Sequence, residues 1–278
     1  ITGLSATTKE YDGNTSVVIA GTATYSGLVL GETFAVTGSV TWAFSSKNVG
    51  ATVVRTGNYN APSTNYTVTQ PTLTANITPK ALTVSGATAQ NKPYDGTTTA
   101  TITGATLVGV ISPDVVTVSG GGTFASANVG TGISVTANLT LAGADSGNYT
   151  VTQPTGLNAN ITAIAPTINT TAIGITTGGT YTLPGSITSN SAGAFSYSLG
   201  SVSPAGSVTL TGTTLNGIAP GTAILTVTQA ANGNYTAGST TVTVNVTTCS
   251  PPIWEENFDY GGCDNAHLPN LTSNWVNF

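Results

Sequence analysis

Residue types able to do chemistry are few and widely separated in this 278-residue sequence. His267 is its one histidine, so an acid–base pair or a nucleophilic triad would have to be assembled around the last segment of the chain. Carboxylates are equally scattered: Glu10, Asp12, Glu32, Asp95, Asp114 and Asp145 each stand alone in turn-like surroundings. Glu255 and Glu256 are adjacent, and neighbouring residues on a strand face opposite sides, which does not place two carboxyl groups across one glycosidic bond. Cys249, Cys263, Asp264 and His267 offer zinc-type donors but lack the paired short spacings of a structural zinc site. A Cys249–Cys263 disulfide is the preferred reading and zinc the alternative; closing a loop of that size stabilises by about 3 kcal/mol. The expectation is a chain that is not an enzyme and holds neither cofactor nor metal.

Composition supports that expectation. Charged residues make up only 5% of the chain, while a mean hydropathy of +0.18 and a net charge of -5 argue against intrinsic disorder. The surface is therefore coated with hydroxyls and amides. The five bases, Lys9, Lys47, Arg55, Lys80 and Lys92, form no stripe that could neutralise phosphates or anionic lipid, so neither nucleic acid nor a membrane surface is an expected partner. No apolar run approaches the roughly 20 residues that span a bilayer, and any export signal is expected to lie outside these residues.

The elements that must position these residues are short strands. Runs such as Ile133 to Leu141 alternate apolar and polar residues and are broken by Gly, Asn, Asp and Pro clusters, the pattern of half-buried antiparallel strands. They are also repeated. Tyr11-Asp12-Gly13 returns 83 residues later as Tyr94-Asp95-Gly96, Phe44 to Gly50 returns as Phe124 to Gly130, and Asn65-Tyr66-Thr67-Val68-Thr69-Gln70-Pro71 returns as Asn148 to Pro154. Each unit closes on Asn-Ile-Thr, at Asn76 and Asn160. The fold class expected is all-β: tandem Ig-like β-sandwich modules in an elongated rod, with modules at 1–78, 79–162 and 163–248 and an incomplete further domain at 249–278. Aligning the copies sets Ile1 opposite Val84, so the first module is expected to begin inside its opening strand.

Asp-Gly is the strongest two-residue hairpin signal, because both central positions of a type I′ turn need positive φ. Tyr11, Asp12, Gly13 and their copies Tyr94, Asp95 and Gly96 therefore read as structural turns. Tyr66, Tyr149 and Tyr235, in Asn-Tyr contexts, read as rings that cover a core edge, with sugar stacking as the alternative.

These landmarks carry a resemblance. Lys92 to Thr97, Ala127 to Gly130 and Gly147 to Val151 resemble the YDG repeat domain of large bacterial surface proteins, over about residues 1–162. The first copy departs from the second in having Glu10 where the second has Pro93. Gly221 to Gln229 resembles bacterial Ig-like modules, and Glu256 to Gly262 resembles the opening of a Bacteroidetes extracellular module. The resemblance implies an extracellular location on a bacterial cell surface, and that of the last segment implies export by the type IX route. The function expected is a non-catalytic stalk or spacer of a surface adhesin, whose partners are neighbouring modules of the same chain. Two other readings stand beside it: a self-assembling filament subunit, pairing with other copies of itself, and a module binding a surface glycan or protein.

Overall fold

The computed structural model describes residues 1–248. The Cys249–Cys263 pair, His267 and the incomplete domain at 249–278 lie outside the described residues. The fold is all-β, with a single 3-10 turn at Ser146–Asn148 among the described residues. Two compact units are present, Ile1–Thr162 and a second beginning at Ala163.

Strands form where the sequence alternates. Gly130–Ala142 buries Val135, Ala137 and Leu139 on one face and exposes the Thr and Asn residues between them. It lies inside a six-stranded sheet ordered Thr88–Ala89, Thr99–Thr103, Thr117–Phe124, Gly130–Ala142, Asn158–Thr162 and Lys92–Pro93. A three-stranded sheet of Thr106–Val108, Lys80–Ser85 and Tyr149–Val151 completes the second repeat. Corresponding pairings recur in the first repeat: Lys9–Glu10 runs parallel to Ile77–Thr78, as Lys92–Pro93 does to Asn158–Thr162. Thus the residues before each Tyr-Asp-Gly pair with the Asn-Ile-Thr that closes the same repeat.

The repeated Thr-Gln-Pro has a physical role. Gln153 accepts from the Leu139 N–H and donates to the Leu139 carbonyl, both at 2.8 Å; Gln70 does the same to Tyr59, at 3.0 and 2.8 Å. A side-chain amide thus satisfies ladder groups before proline ends the run.

Cores do not coincide with the repeats. One cluster gathers Tyr11, Phe44, Ala51 and Ile77 of the first repeat with Leu82 and Tyr149 of the second, flanked by Val17, Val49, Leu107, Val110, Ile111 and Val116. A boundary drawn at 78/79 passes through this shared core. Fully burying one such side chain is worth about 1.5–3 kcal/mol, so the two repeats are held by a packed interior rather than by a linker. Two smaller clusters, around Phe124 and Ile161 and around Ile102 and Leu139, fill the rest of the second repeat.

The second unit sandwiches one core between two sheets. Its four-stranded sheet is ordered Ile173–Thr176, Gly238–Thr247, Gly221–Gln229 and Phe195–Ser203, and its three-stranded sheet Thr180–Thr182, Thr214–Gly217 and Val208–Thr211. Val227, Val244, Leu225 and Leu215, each fully buried, come from both sheets.

Candidate functional site

Each Tyr-Asp-Gly is the centre of a lysine clamp. Lys9 donates to the Asp12 carboxylate at 2.7 Å and to the Asn14 carbonyl and Oδ1 at 2.9 Å, with its ammonium 5.6 Å from the centre of the Phe44 ring. Lys92 donates to Asp95 at 2.7 Å and to the Thr97 carbonyl and Oγ1 at 2.7 and 3.0 Å, and sits 5.5 Å from the Phe124 ring centre. The aromatic face and the carboxylate hold the same cation from different sides. The Lys92 hydrogen bond holds the Asp95 carboxyl down at about 2. At Asp12 burial pushes upward, and the hydrogen bonds and charge from Lys9 together with the Asn14 hydrogen bonds outweigh it, leaving the carboxyl below its ordinary value.

The turns are not type I′ hairpins. That geometry requires positive φ at the aspartate, and no residue other than glycine has positive φ among the described residues. Instead Asp12 accepts from the Asn14 N–H at 3.1 Å and Asp95 from the Thr97 N–H at 2.9 Å, each an Asx turn with a left-handed glycine at its centre, Gly13 at φ 79° and Gly96 at φ 76°.

The two tyrosines part company. Tyr11 is 1% exposed and lies in the shared core, edge-on to Tyr149 with ring centres 5.3 Å apart. Tyr94 is partly exposed and packs against the Phe124 cluster of its own repeat. The Tyr149 ring is buried in the joint, which excludes it from stacking on a sugar.

What joins the repeats is a carboxylate the sequence reading did not single out. Asp114, its side chain 1% exposed, accepts from the Tyr11 hydroxyl at 2.6 Å, the Tyr149 hydroxyl at 2.7 Å and the Lys47 ammonium at 2.8 Å. Tyr149 in turn accepts the Ile111 N–H at 3.1 Å. Burial alone would raise the Asp114 carboxyl, but three donors, Lys47 foremost, keep it below its ordinary value and charged. The Asp114 hydrogen bond raises the Lys47 ammonium above its usual range, and burial with Asp114 pushes the Tyr149 phenol up to about 12. A second contact lies alongside: Asn148 accepts the Val49 N–H at 2.9 Å and donates to the Asn48 Oδ1 at 3.3 Å. The glycine of the first turn closes the fit, since a Cβ on Gly13 would stand 3.3 Å from Ile111 Cγ2. Chemically this is a four-residue knot that consumes its charges internally. An acid, Glu32, stands 82 residues before Asp114 in the first repeat, one residue off the 83-residue repeat offset.

The remaining charges are also engaged within the chain. Lys80 pairs with Glu10 at 3.1 Å, Lys47 reaches Asp145 at 3.9 Å, Arg55 donates to Asn58 at 2.7 Å, and Glu32 accepts from the Tyr66 hydroxyl.

Against known proteins, the sequence matches the family model of the YDG domain twice, over residues 1–74 and 78–156. No curated protein matches it. Among solved structures, a crystal structure of Drosophila N-cadherin EC1-3 aligns at 9% identity and a TM-score of 0.25, over 71% of this chain and 74% of that one.

Proposed function

Because this chain belongs to the YDG domain family, we propose that it serves as a non-catalytic stalk or spacer segment of an extracellular bacterial cell-surface adhesin. The observation that carries this reading is the use of charge. Every Lys, Arg, Asp and Glu from residue 1 to residue 248 has a polar partner inside the chain, most of them in a turn clamp or between the two repeats. An active site or a charged recognition surface needs polar groups aimed outward at a ligand, whereas a spacer needs them spent on holding its modules in line.

The all-β repeats, with most polar surface supplied by Thr, Ser and Asn, fit the same role. Small-angle X-ray scattering over a concentration series tests it. The expected result is a concentration-independent, elongated particle. A compact particle would sink the stalk, and mass growing with concentration would favour a filament subunit.

A further inference from the structure

The first repeat carries a second, open copy of the acceptor half of the joint. In the second repeat, Tyr149 accepts the Ile111 N–H and donates to Asp114, and this pair receives Tyr11 and Lys47. In the first repeat, Tyr66 accepts the Val29 N–H at 3.1 Å and donates to Glu32, the same arrangement at corresponding positions. Glu32 forms no ion pair among the described residues. Around it, apolar side chains face outward: Val29 is 66% exposed, Leu30 101% and Phe34 38%, with the Phe34 ring edge-on to Tyr66 at 6.0 Å. Their counterparts Ile111 and Val116 pack into the shared core. Asn65, counterpart of the buried Asn148, is exposed.

We propose that the face built by Val29, Glu32, Phe34, Asn65 and Tyr66 is a docking site for a further YDG-type module, presented by its Tyr-Asp-Gly turn and a lysine equivalent to Lys47. This rests on the stalk reading and gives it a direction: the first repeat offers a donor face of Tyr11, Lys47 and Asn48-Val49 at one end and an acid–tyrosine socket at the other, whereas the second repeat has Ala127 in place of that lysine. Charge complementarity selects the occupant. An exposed carboxylate ringed by apolar surface accepts one ammonium and one phenol, which the donor face carries at the required spacing in the joint already formed. The donor face of this chain's own first repeat is occupied by its second repeat, so the occupant is an additional module.

The test places a copy of residues 1–83 ahead of Ile1 of the full chain, which restores the spacing of the existing joint. With Tyr66→Phe in the added copy, so that only the original Tyr66 reports, its nitration by tetranitromethane, read by mass spectrometry, is expected to fall severalfold relative to the present chain and to return when the added copy also carries Tyr11→Phe and Lys47→Met. In urea, Glu32→Gln is expected to shift the midpoint of the extended chain more than that of the present chain, and the excess should vanish with Lys47→Met in the added copy. Equal shifts in both backgrounds, or protection of Tyr66 indifferent to the added copy's Tyr11 and Lys47, would overturn the proposal. So would self-association of the present chain through Glu32, which makes the occupant a second copy. An elongated scattering profile combined with a failed cycle would reject this docking face while leaving the stalk intact.

Discussion

The Tyr11 hydroxyl of the first repeat donates to the Asp114 carboxylate of the second across 103 positions of sequence, at 2.6 Å. Around that bond two repeats become one unit.

Asp114→Ala leaves the Tyr11 and Tyr149 hydroxyls without their acceptor inside a closed core. Stranding buried polar groups in this way costs about 2–4 kcal/mol. Urea unfolding monitored by tryptophan fluorescence is expected to show a destabilised first unit. Combining the change with Tyr11→Phe should cost much less than the sum of the two single changes, because both remove the same bond. Additive costs would mean that the two residues act independently.

The two turn glycines form a matched pair for measuring the joint. Gly13 and Gly96 both hold positive φ, so alanine at either costs about 1 kcal/mol in backbone strain. Only at position 13 does the new methyl press on Ile111; at position 96 its nearest neighbour is the Tyr94 hydroxyl at 3.9 Å. Gly13→Ala should therefore be the more damaging, by thermal unfolding. Equal losses would show that Ile111 yields freely.

Acid should weaken the first unit over a defined window. Asp12, Asp95 and Asp114 have folded-state values below the ordinary 3.8, Asp95 at about 2. Their contribution is complete above about pH 4 and is lost as the pH falls toward 2. Tyr149 runs the opposite way. Burial and Asp114 raise it from 10.0 to about 12, so its contribution is complete below pH 10 and is lost as the pH climbs toward 12. Urea midpoints measured from pH 2 to 12 should trace a plateau between these limits, and Asp114→Asn should flatten both shoulders.

Not all lysines matter equally. Lys92→Met removes a cation held by a carboxylate, a carbonyl, a hydroxyl and an aromatic face, whereas Lys80→Met removes one pair with Glu10, whose side chain is 57% exposed. Exposed pairs of the latter kind contribute little. Differential scanning calorimetry should rank Lys92→Met well above Lys80→Met, and the reverse order would remove the clamp from the account of the repeated Lys-x-Tyr-Asp-Gly.

In the second unit, Gly193 is confined by space rather than by φ. A Cβ there would stand 2.0 Å from the Ala230 carbonyl oxygen, beside fully buried Gln229, whose amide donates to the Ser191 and Gly193 carbonyls at 2.9 Å. Gly193→Ala should cost more than about 2 kcal/mol by moving this network. Gly174→Ala, whose Cβ meets nothing within 4 Å, serves as the control.

The all-β class and the doubling of Tyr-Asp-Gly were legible in the sequence because both are local: alternation of side chains and a short turn are written in consecutive residues. The turn's geometry was less so. Asp-Gly suggests positive φ at two residues, but parallel pairing of Lys9–Glu10 with Ile77–Thr78 and an aspartate bonded to its own loop require it only at the glycine. The joint was hidden altogether. Asp114, Lys47, Tyr11 and Tyr149 are far apart in the chain, and nothing in any one of their neighbourhoods announces the other three. Consecutive residues alone specify strands, turns and where one copy gives way to the next. That the core bridges this boundary follows from long-range packing, because a buried carboxylate is stable only where donors from both repeats reach it together.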